Sequence, residues 1–211
     1  MSRARFRLCL AIVAMLVLAQ SIAHMLATER FGVLDSIVDL DRSNGAPDLL
    51  STAVIVAAAA GAAWLACRAQ AWRRLIGGLL GASLAAIAVE DLLQASVGVS
   101  TPGEIAVTMT ATAASAMLVA VERPAESWTT VALVAGLGAL AASLVLGQLP
   151  ELEQWFERAR GDRIIELQIV AKQGLELAGW WLVAIVVWDI ALAQSQGGTP
   201  VGGKPTQGAP R

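Results

Sequence analysis

Six stretches of this chain are long and apolar enough to cross a bilayer, and that feature limits what it can fold into more than any other. They run over Leu8–Ala27, Leu49–Cys67, Leu75–Ala95, Ile105–Val121, Trp128–Leu149 and Leu175–Ala193. Each is close to the roughly 20 residues that a helix needs to span the hydrocarbon core. A chain that is 56% hydrophobic and only 15% charged is neither disordered nor an ordinary soluble enzyme. Its net charge of −2 leaves no basic surplus for nucleic acid. The expected fold is all-α, a polytopic membrane helix bundle with six transmembrane helices over residues 1–194. Residues 195–211, with five Gly, three Pro and no apolar period, are expected to form a disordered tail.

Arg3, Arg5 and Arg7 precede the first apolar run, as in a signal peptide. That run exceeds the usual 7–15-residue apolar region, and Ala23-His24-Met25 is a poor cleavage site. It is expected to be a true first span. Orientation follows from the basic residues. Arg3, Arg5, Arg7, Arg68, Arg73, Arg74, Arg123, Lys204 and Arg211 fall on one side, which makes that side, and both termini, cytoplasmic. Trp64, Trp72, Trp128 and Trp188 are expected at the inner interface, and Trp155 and Trp180 near the outer one. Two longer connections lie outside. Phe31, Leu34 and Ile37/Val38 suggest a short interfacial helix in the first. In the second, Glu151–Ala159 reads as a charged turn or two, and Asp162 as a cap for the final helix.

Small residues let helices approach closely in lipid. Gly77-x-x-x-Gly81, continuing to Ala85 and Ala88, is expected to be a helix-packing seam, and Gly136 and Gly138 are expected to do the same. Cys9 and Cys67 have no metal-ligand spacing and face a reducing compartment, so neither a disulfide nor a thiolate site is expected. With His24 the only histidine, there is no zinc-type constellation and no haem pair, and no cofactor is expected. Asp39-x-Asp41-x-Ser43-Asn44-Gly45 opens like a calcium loop. However, Asn44 and Leu50 stand where Gly and Glu are required, so the segment reads as a turn before Pro47.

Polar residues inside the spans collect at one end. Gln20, His24 and Thr28 lie on one stripe of the first span, and Ser83, Ala86, Glu90 and Gln94 on one of the third. Glu104, Thr108, Thr112 and Ser115 descend the fourth, and Gln173 and Glu176 open the sixth. Embedded acids usually face protein or water. The pattern therefore suggests an outer cavity lined by His24, Glu90, Gln94, Glu104, Thr108 and Glu176, able to hold a cation, a proton or a polar substrate. Asp91 is expected to point away and reach the headgroups. Asp189, near the inner end of the sixth span, is expected to pair with Arg68, Arg73 or Arg74.

Three motifs carry a resemblance. They are Asp39-Leu40-Asp41-Arg42 leading through Pro47 into Ser51-Thr52, the pair Glu90-Asp91, and Gly174-Leu175-Glu176-Leu177-Ala178-Gly179. In these the chain resembles a broad group of uncharacterised six-span bacterial integral membrane proteins with no assigned activity. The resemblance implies a bacterial inner-membrane location and singles out Glu90 and Glu176. In that group a histidine usually follows the acidic pair and a glutamate precedes the last motif; here Gln94 and Gln173 stand near those places. The leading functional expectation is a non-enzymatic accessory or structural membrane component, in contact with the bilayer and with a membrane-protein partner or a second copy. The alternatives are a one-sided cation- or proton-responsive protein using the outer cavity, and a membrane-embedded hydrolase using a metal-bound water.

Overall fold

The computed structural model describes residues 1–30, 46–69, 71–97, 104–122, 127–147 and 163–195. The interfacial segment at 31–38, the Asp39–Gly45 turn, the 151–159 segment, Asp162 and the tail beyond Ser195 lie outside them. The described residues form six helices: α1 (Arg3–Arg30), α2 (Ala46–Arg68), α3 (Ala71–Val97), α4 (Glu104–Glu122), α5 (Ser127–Gly147) and α6 (Arg163–Ser195). In lipid each backbone N–H and C=O must find its partner within its own helix, which is why the apolar runs are all helical.

Five of the six are long and apolar enough to cross a membrane. The fourth is shorter: α4 is apolar over Val107–Val121, about 22 Å at 1.5 Å per residue, against a hydrocarbon core of about 30 Å. The last is longer than its apolar pattern suggests. Its spanning stretch covers Gln168–Gln194, because Lys172, Gln173 and Glu176 interrupt the hydropathy without interrupting the helix.

The core is built on α2, α3, α5 and α6. Ile55 and Leu65 of α2, Leu80 and Leu84 of α3, and Leu177, Val183 and Val186 of α6 are fully buried, joined by Leu118 of α4. Two glycine seams set the spacing. A Cβ on Gly77 would stand 3.2 Å from the Ala66 nitrogen and 3.3 Å from the Ala62 oxygen, so α3 lies backbone to backbone on α2. Gly81 continues that seam against Ala63 and Ala59 with ordinary contacts. On the other side, Gly136 of α5 and Gly179 of α6 face one another. Gly138, expected to pack in the same way, meets nothing within 4 Å.

Side chains then tie the pairs together. The Trp188 Nε1–H donates to the Ala57 carbonyl at 2.9 Å and its indole covers Gly61, joining α6 to α2. Gln168 Nε2 donates to the Leu146 carbonyl at 3.0 Å. Trp180 is a buried core residue of α6 rather than an interfacial one. Asp189 does not pair with Arg68, Arg73 or Arg74. Its Oδ2 accepts from the Met1 amino group at 2.8 Å and from Thr129 Oγ1 at 3.0 Å, which brings together the start of α1, the start of α5 and the end of α6. Phe6 packs on Trp128 beside this cluster, with ring centroids 5.2 Å apart.

α1 is the peripheral helix, packed on α6 and α5 with most of its apolar side chains outward. Leu8, Met15 and Leu18 of α1, Leu75 of α3, Met109 of α4 and Val134 of α5 are all exposed. An apolar surface of this extent is stable against acyl chains, not water. The chain is an integral membrane protein in contact with the lipid bilayer.

Candidate functional site

Ser83, Ala86 and Glu90 recur at helical spacing on α3, and the first two face α4. There Ala82, Ser83 and Ala86 of α3 and Val107 and Thr110 of α4 line a cleft of about 310 Å³. The α3 side of the cleft is built of small residues, and α4 packs chiefly on α3. Glu90 lies one turn beyond Ala86, seven residues before the end of α3. Its side chain is only 9% exposed, and Oε1 has no hydrogen-bond partner among the described residues. A buried polar atom left without a partner costs about 1–3 kcal/mol, more when the group is charged.

The neighbouring polar groups are engaged differently. The Ser83 hydroxyl donates to the Leu79 carbonyl at 2.9 Å, and that of Ser115 to the Ala111 carbonyl at 2.8 Å. Each is a bond to the preceding turn of its own helix, which leaves the hydroxyl with acceptor capacity only. Asp91 does not turn out to the headgroups. Half-buried, it accepts from Thr52 Oγ1 of α2 at 3.4 Å. Leu84 and Ile87, which share its face, are buried core residues. Adjacent acids on α3 therefore differ: Asp91 joins α3 to α2, whereas Glu90 Oε1 has no partner among the described residues.

Of the six residues expected to line one cavity, Glu90 and the buried Thr108 stand on adjoining helices. Glu104 is the first residue of α4, while its side chain and those of His24 and Gln94 lie outside the described residues. Glu176 is half-buried on α6 and already engaged within the chain. α1, which carries His24, packs on α6 and α5 rather than on α3 and α4. Among the described residues, no group of three His, Cys, Asp or Glu side chains is placed to hold a metal ion. Thr110 and Val107, which close the cleft from α4, carry no sequence signal that separates them from other span residues.

Comparison with protein-family models, with curated proteins and with solved structures gives no match to this chain. The resemblance to six-span bacterial membrane proteins rests on the quoted motifs alone.

Proposed function

We propose that this chain is a non-enzymatic, six-span component of a bacterial inner membrane, with both termini cytoplasmic and a proton- or cation-responsive carboxyl, Glu90, in its outer half. The observation that carries the functional part is the burial of Glu90 with Oε1 unpartnered, one turn from an open cleft. In a span, an ionised carboxylate is balanced by a cation or water, and a neutral one carries its own proton. Exchange between these forms changes what α3 presents to α4. The positive-inside bias and the placement of α1 and α6 ends around Asp189 support the topology. α4 then crosses with the polar residues at its start included in the span, or the bilayer thins around it.

An accessory role fits the same architecture in a revised form. Gly77 and Gly81, the seam that could have served a partner helix, are covered by α2 of the same chain. A partner would instead meet the outward faces of α1 or α4. The test of the Glu90 reading is thermal unfolding of the detergent-purified chain and of Glu90→Gln, across acid to alkaline pH, with and without added sodium or calcium. The stability difference between the two proteins should change with pH or with cation. A difference that stays constant in every condition would contradict the proposal.

A further inference from the structure

The geometry points to a binding site for the phosphate of an anionic phospholipid at the α2–α3 connection, built from Arg68 and Arg74 with Trp64 and Trp72. The stretch from Trp64 to Leu75 holds three arginines and no acid, in a chain whose net charge is −2. No acid stands in the first turn of α3, a helix end that is already electropositive. The arginine side chains are held in place. The Arg68 guanidinium lies over the Trp64 ring, 4.1 Å from its centroid, and Arg74 Nε donates to the Ala69 carbonyl at 3.3 Å. Each leaves terminal N–H groups to offer, in the planar fork that matches a phosphate.

What surrounds them identifies the ligand as a lipid rather than a dissolved anion. Trp64 is 44% and Trp72 62% exposed, although an indole is among the most apolar surfaces a side chain can show. Below them, Val56, Ala60 and Ala63 continue outward along α2, and Leu75, Leu79 and Ala82 along α3. Along α2 the order is guanidinium at Arg68, indole at Trp64, then aliphatic side chains, and on α3 Trp72 and Arg74 share the first turn ahead of the aliphatic ones. That is the order of phosphate, glycerol ester and acyl chain in a phospholipid lying alongside. Trp is enriched at this level of a bilayer for the same reason. Basic pockets at the ends of spans are a physical match for anionic headgroups.

The test is native mass spectrometry of the full chain in detergent, titrated with phosphatidylglycerol, with phosphatidylcholine and with inorganic phosphate. Phosphatidylglycerol should be preferred, and the double variant Arg68→Gln/Arg74→Gln should bind it roughly twenty-five-fold more weakly, about fivefold for each arginine. Arg5→Gln, which removes an arginine from the start of α1, should leave the preference unchanged. If the double variant fails to insert, Arg68→Lys/Arg74→Lys keeps both charges but loses the stacked fork, and the preference should fall severalfold. Equal binding of the two lipids, an unchanged preference in the arginine variants, or an equal loss in Arg5→Gln would overturn the site. Binding of inorganic phosphate as tight as that of the lipid would overturn the assignment to a headgroup.

Discussion

Replacing Gly179 with alanine should separate α5 from α6. A Cβ at that position would lie 2.6 Å from Leu140 Cγ, 2.8 Å from its Cδ2 and 2.9 Å from the carbonyl oxygen of Gly136. The leucine can rotate away, but the carbonyl belongs to the α5 backbone and moves only with the helix. Restoring an ordinary contact of 3.4 Å requires 3.4 − 2.9, about 0.5 Å of separation along the seam. That shift loosens the packing of Leu140, Leu182 and Val183, all buried beside it. Overpacking of this kind costs about 1–3 kcal/mol, partly offset by the better helix propensity of alanine. Gly138→Ala and Gly78→Ala, where a Cβ meets nothing within 4 Å, provide the comparison and should be neutral or slightly stabilising. Reversible unfolding in mixed micelles, followed by far-ultraviolet circular dichroism, reads all three. Gly179→Ala as stable as Gly138→Ala would refute the claim that backbone contact between Gly136 and Gly179 sets the α5–α6 distance.

Two further side chains give predictions of the same kind. Trp188→Phe keeps an aromatic ring over Gly61 but removes the donor to the Ala57 carbonyl, and should cost about 1 kcal/mol in the same unfolding assay. Asp189→Ala removes the acceptor shared by Thr129 and the Met1 amino group. It should destabilise the bundle by about 1.5–3 kcal/mol and raise hydrogen exchange at the starts of α1 and α5; no effect on either would place the cohesion of that end elsewhere.

What the sequence makes legible follows from how local each signal is. The apolar runs identify every helix among the described residues, because hydropathy over 20 residues is a property of a segment. Gly77 and Gly81 announce a seam by their own spacing, and the structure shows them facing α2. Gly179 does not announce itself. Its partner Gly136 is 43 residues away, and only packing reveals that the two backbones meet. Asp189 has the same difficulty: three arginines stand near the expected side, yet its partners are a threonine 60 residues away and the chain's own first amino group. Glu90 and Asp91 show the limit most clearly. A helical wheel separates them by about 100°, but which of the two faces the core depends on where α2 packs. With Thr52 of α2 beside it, Asp91 is the bonded residue, while Glu90 Oε1 has no partner among the described residues. The small residues of the cleft were visible on α3, whereas the α4 residues that complete it depend on the rotation of a helix that one neighbour chiefly constrains.

The central claim is that Glu90 is an exchangeable carboxyl reached from within the membrane, and carbodiimide labelling tests it most directly. An apolar carbodiimide partitions into the bilayer and forms a stable adduct with a protonated carboxyl. The adduct is then assigned to a residue by peptide mass spectrometry on protein in native membranes. The account predicts an adduct on Glu90, slowed by a bound cation and lost in Glu90→Gln. Labelling confined to other acids, with Glu90 unmodified at every pH, would contradict it.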